Sequence, residues 1–181
     1  KEKEEIINKL TQAKLTIICK VVNITDFERD YVFPIYSNIL GDNPTSRLFI
    51  NVREKNSLAY SIYSYAKRNN ALMIISCGMD KEKYNETLNL IKEQINDMKQ
   101  NITKIELNIA KKELISYINS IYDNIGSVID YYYNVEVMKT DNITMVKKNL
   151  NKVTNDDIIN FSNKVYIDTI YLLKGDNNGK D

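Results

Sequence analysis

The chain has 181 residues, 43% of them hydrophobic and 27% charged, which fits one globular domain with a substantial core. Its 25 Lys and Arg against 24 Asp and Glu give a net charge of +1; with no basic stripe and no Lys/Arg-rich block, nucleic acid is not an expected partner. His and Trp are absent and Cys occurs only twice, which removes His-based catalysis and a thiolate cage from consideration.

The opening, Lys1-Glu2-Lys3-Glu4-Glu5, lacks a signal-peptide layout, and no apolar run reaches the length of a membrane span. No membrane partner is therefore expected. The first residue is not Met, which reads as a piece of a longer chain. Residues 14–22 carry Leu15, Ile17, Ile18, Cys19, Val21 and Val22 and predict a strand. Asp26 is placed to cap a helix running to Leu40, with Gly41 as its stop and Pro34 forcing a kink or a late start. Asn43-Pro44-Thr45 caps a short second helix with Leu48, Phe49 and Val52 turned inward.

Residues 59–65 turn to β periodicity, with Tyr60, Ile62 and Ser64 alternating against Ser61, Tyr63 and Tyr65. Residues 71–77 form a second apolar strand ended by Gly78, and the two strands predict a hairpin. Asp80 opens a long helix with Leu88, Ile91, Ile95 and Met98 on one face. Thr103 and Glu106 match the reciprocal capping box. The helix they start carries a stripe of Leu114, Ile118, Ile121 and Ile125. Gly126 interrupts it, and a further helix covers residues 127–138. Thr154 caps another, containing Ile158, Phe161 and Val165. A strand over residues 168–174 closes the pattern. The order predicts an α+β fold, an antiparallel-rich sheet with helices packed on one face. Residues 1–175 read as one domain and residues 176–181 as a polar tail. Cys19 and Cys77 read as buried free thiols, and a cytoplasmic setting follows from them and from the missing signal.

Little catalytic chemistry is left. No loop alternates Asp and Asn around the glycine that an EF-hand needs. No glycine loop is built to cradle phosphate. Lys–Ser and carboxylate pairs are too numerous to single out. Arg53 and Tyr60 remain, seven residues apart across a helix-to-strand junction. An arginine can hold a peptide carbonyl or carboxylate in its fork, and a phenol can donate to a developing oxyanion. On residue types alone the pair reads more readily as a last-turn cation favourable to the helix dipole and an amphipathic strand residue. The presence of 13 Tyr weakens any argument from tyrosine alone.

Ser46-Arg47-Leu48-Phe49, followed by Val52-Arg53-Glu54-Lys55 and Leu58-Ala59-Tyr60, resembles the C-terminal-half signature of the pitrilysin/insulinase family. That family includes the mitochondrial processing peptidases, and the likeness is greatest to bacterial, Firmicute-type zinc-protease-like members. It extends over nearly the whole chain. The resemblance implies an enzyme built of two related halves, the first carrying an inverted zinc motif, H-x-x-E-H. The second half is a similar α+β domain without metal. By resemblance, Arg53 binds the substrate backbone and Tyr60 hydrogen-bonds the scissile carbonyl and its oxyanion. The implied partners are a homologous peptidase half or subunit and a peptide substrate. No cofactor is expected in this chain, and zinc, where present, belongs to the partner domain. Some bacterial members lack the zinc motif in the first half too, so the same resemblance also admits an inactive half that docks to a homologous one.

Overall fold

A computed structural model describes residues 1–7 and 10–176. Its centre is a five-stranded sheet ordered β1-β5-β2-β4-β3. The strands are β1 (Glu2–Ile7), β2 (Ala13–Val21), β3 (Ser61–Lys67), β4 (Leu72–Met79) and β5 (Val165–Gly175). All neighbouring pairs are antiparallel except β1 with β5. The expected antiparallel-rich sheet is therefore present, with one parallel strand at its edge.

Period-two patterning sets the two faces. Ala13, Leu15, Ile17, Cys19 and Val21 of β2 are buried, as are Met73, Ile75, Cys77 and Met79 of β4. They pack against α1 (Phe33–Gly41), α2 (Tyr84–Asp97), α3 (Lys104–Ser120), α4 (Ile125–Met138), α5 (Ile143–Lys152) and α6 (Asn155–Ser162) in one continuous core. Phe33, Tyr36 and Phe161 meet at ring-centroid distances of 5.2 Å and join α1 to α6. The opposite sheet face is open. One register row across it is Tyr63, Ser76, Thr16 and Tyr171.

Several elements differ from expectation. Thr25, not Asp26, starts the first helical stretch: Thr25 Oγ1 accepts from the Glu28 N–H at 3.2 Å, and Glu28 accepts from the Thr25 N–H at 2.8 Å. That stretch begins as a π-helical turn, Glu28–Val32, and becomes α1 where Pro34 sits in the first turn. Pro34 thus lies inside one continuous helical run, residues 26–41, where its missing N–H goes with a change of helix type and not with a late start. Ile125 leaves the predicted stripe and is 81% exposed. A 3₁₀ turn, Ile121–Asp123, and an extended Asn124 (φ −137°) break the chain ahead of it. Val165 opens β5 instead of continuing α6, which ends at Ser162. Strand β1 and helix α5 were not expected. Of the polar tail, residues 177–181 lie outside the described residues.

Cys19 and Cys77 are free and buried, and burial pushes each thiol up to about 12. Both are inert as nucleophiles at neutral pH.

Candidate functional site

The segment between α1 and β3 is built to present side chains. Arg47 and Leu48 open a helical stretch that widens into a π-helical segment, Phe49–Lys55. Leu48 and Val52 are fully buried beneath it. Phe49, expected inward, is half-buried and lies under the Arg53 guanidinium, 4.7 Å from ring centre to Cζ. The segment ends where Ser57 enters the left-handed region at φ 50°. The Ser57 N–H donates to the Arg53 carbonyl and the Leu58 N–H to the Val52 carbonyl, both at 3.0 Å. Widened turns of this kind are rare and often stand at functional positions.

Arg53 is exposed at the end of that segment. Its guanidinium pairs loosely with Glu54, 3.7 Å from Nε, and its side chain is 42% exposed. Tyr60 follows the turn. Its backbone N–H donates to the Gly78 carbonyl at 2.8 Å, which ties it to β4 before β3 begins. The ring is 52% exposed, and its hydroxyl donates to Asp80 Oδ1 at 2.5 Å. That bond, with the nearby carboxylates of Asp80 and Glu82, raises the phenol above its ordinary value. Both predicted residues thus lie on the surface at the two ends of one connection. Among the described residues no hydrogen bond joins one to the other.

The residue with the densest polar environment is Arg47, which the sequence reading quoted but gave no role. It is 8% exposed. Nε donates to Glu106 Oε1 and Nη1 to Asp97 Oδ2, each at 2.7 Å, and Nη2 donates to Glu106 Oε2 at 3.1 Å and to the Asn101 carbonyl. Glu106 simultaneously accepts from the Thr103 N–H at 2.8 Å, as the expected capping box requires. Burial alone would push the Glu106 carboxyl up, but Arg47 and Thr103 together hold it below the usual carboxylate range. Arg47 therefore locks the signature segment onto the junction of α2 and α3. A buried arginine inside a short helix was the available signal. Its acidic partners lie 50 and 59 residues away and could not be paired from spacing.

Histidine is absent from the sequence. Among the described residues, no group of three or more His, Cys, Asp or Glu is arranged to hold a metal ion. The donor set of this chain does not fit zinc. A hollow of about 340 Å³ along α2, lined by Glu93, Gln94, Asn96, Asp97 and Gln100, includes neither Arg53 nor Tyr60. No helix among the described residues is long and apolar enough to cross a membrane.

Comparison with known proteins gives a consistent picture. A family model described as the peptidase M16 inactive domain matches residues 1–114. The chain is 27% identical over 177 residues to a probable inactive metalloprotease, YmfF, of Bacillus subtilis, covering 95% of this chain and 41% of the relative. A conserved protein from Enterococcus faecalis shares the fold with a TM-score of 0.86 at 24% identity, over 99% of this chain and 42% of that one. A protease from Helicobacter pylori does so with a TM-score of 0.81 at 16% identity, over 96% and 43%. The chain thus spans about four-tenths of the length of these relatives. The pitrilysin/insulinase resemblance of the sequence and the α+β architecture both hold, and the chain belongs to the peptidase M16 inactive-domain family.

Proposed function

We propose that this chain is the C-terminal, non-metal half of a peptidase-like protein. In that role it contributes peptide binding through Arg53 and oxyanion stabilisation through Tyr60 to a zinc site on a homologous half or subunit. The observation that carries the reading is the presentation of these two side chains. Both are exposed, and both stand on backbone fixed by the turn at Ser57 and by the Tyr60–Gly78 bond. The open sheet face carries the hydroxyl groups of Tyr63, Ser76, Thr16 and Tyr171 in one register row, which an extended peptide can engage through hydrogen bonds. A phenol donates without changing its own charge, so Tyr60 suits an oxyanion donor better than a base. Arg53 is a fixed cation that suits a backbone carbonyl. The zinc belongs to the partner half in this reading. A single domain over residues 1–175 and a cytoplasmic setting, where two free thiols persist, go with it.

A second reading is favoured by one observation. A relative that matches 95% of this chain is named as a probable inactive metalloprotease. In that case the chain is a structural half that docks to a homologous peptidase half without turnover.

The isolated chain, mixed with zinc and a fluorogenic peptide, separates both from a self-sufficient enzyme. We expect no cleavage; robust metal-dependent turnover by the chain alone would refute the proposal. Turnover by the assembled halves, present or absent, decides between the two readings.

A further inference from the structure

The Tyr60 phenol has one proton to give, and in this structure it is already given. Its acceptor, Asp80, stands directly before a 3₁₀ turn, Lys81–Lys83, that leads into α2. An Asp at such a position ordinarily accepts from the first free N–H groups of the helix. Asp80 makes no cap hydrogen bond and spends Oδ1 on the phenol instead. Its other oxygen lies 3.9 Å from Lys83 Nζ. The same ammonium donates to the Ser57 carbonyl at 2.9 Å, on the turn that precedes Tyr60. Asp80, Lys83, Ser57 and Tyr60 thus close a small polar ring between the signature segment and the start of α2. The ionisable groups around the phenol are Asp80, Glu82 and Lys83.

We propose that Asp80 is a positioning residue that orders the Tyr60 ring and holds its hydroxyl in reserve, so that the phenol engages a substrate oxygen only by giving up Asp80. The inference rests on the oxyanion reading of Tyr60 and adds a selectivity to it. A carboxylate is a stronger acceptor than a neutral peptide carbonyl. A bound ground-state carbonyl therefore does not displace Asp80 as the acceptor of the Tyr60 hydroxyl. The charged oxygen of a tetrahedral intermediate is far more basic than a carboxylate and does take that hydrogen bond. Asp80 thereby biases Tyr60 towards the transition state while lowering the net gain that the phenol supplies.

The test uses tyrosine-labelled chain and NMR titration of the ring carbons, with Tyr60→Phe assigning the signal. Tyr60 should titrate above the ordinary phenol value of about 10. In Asp80→Asn and in Asp80→Ala it should fall back towards that value, while Tyr84 stays raised by its own burial. Asp80 is half-buried and makes no side-chain cap, so both variants should fold, as far-ultraviolet circular dichroism will show. An unchanged Tyr60 titration in the two variants overturns the proposal. In an assembly with a zinc-bearing half, Asp80→Asn should raise turnover several-fold, and the gain should vanish in a Tyr60→Phe background. A gain of equal size in both backgrounds also overturns it. If Tyr60→Phe alone leaves turnover unchanged, the oxyanion reading fails by itself, and the titration still decides the Asp80 contact.

Discussion

Arg47 shows how one buried cation can organise a domain. Its guanidinium is almost wholly enclosed and spends its donors on two carboxylates and a backbone carbonyl. Replacing it by Met leaves Glu106 partly buried with its strongest partner gone. Removal of one member of a buried pair costs about 3–5 kcal/mol. Asp97 is 45% exposed and can turn to water, so the lower end of that range is expected, read as a lower midpoint in urea. Arg47→Lys should rescue little, since a point ammonium cannot span both carboxylates. The pair also sets an acid dependence. The folded Glu106 carboxyl is held below its ordinary value of 4.5, so the unfolded chain binds that proton more readily. The stabilisation is full above the ordinary value and is lost as pH falls through the folded one. Urea midpoints at pH 7 and at about pH 3 should therefore differ less in Arg47→Met than in the parent chain. An equal drop in both would detach Glu106 from Arg47.

At the scale of the element, the two capping boxes look alike but sit in different networks. Thr103 and Thr154 each accept from the N3 backbone N–H and are answered by Glu106 and Asp157. Thr→Ala at either site should cost about 1 kcal/mol. Glu106 is shared with Arg47 and Asp157 is not. Thr103→Ala should thus combine non-additively with Arg47→Met, and Thr154→Ala additively, in a double-mutant cycle. The turn at Ser57 offers a third check. A non-glycine residue at φ 50° is strained by about 1–2 kcal/mol, so Ser57→Gly should raise the thermal midpoint. These cases also show what the sequence made legible. Capping boxes are local, and Thr103 and Thr154 were readable from three-residue spacing. Helix α5 was missed although its signals are equally local: Asn142 caps it, and Ile143, Val146 and Leu150 give its inward stripe. Strand β1 was not legible. Every one of its residues is exposed, and its order comes from a parallel ladder to β5 and from contacts such as Glu4–Lys174 at 2.8 Å and Glu5–Tyr171 at 2.5 Å. Neither leaves an apolar pattern. The site divides in the same way. The candidacy of Arg53 and Tyr60 came from a motif with fixed spacing. The Asp80 partner of Tyr60 is 20 residues away across a hairpin and carries no such spacing rule.

At the scale of the whole molecule, the sheet separates two tasks. One face and the helices form the core, and the structural polar locks around Arg47 hold the signature segment on it. The segment then delivers Arg53 and Tyr60 to the surface. The sequence has no histidine, and among the described residues no group of three or more carboxylates and thiols is arranged to hold a metal ion. Loss of Arg53 in an assembly should appear mainly in KM, as expected for a group that binds substrate and transition state alike. Tyr60 is the sharper probe. The central claim is tested most directly by kcat and KM for Tyr60→Phe in an assembly with a zinc-bearing half. A fall in kcat of about 10²–10³-fold with KM little changed is the predicted result; turnover equal to that of the parent assembly would contradict it.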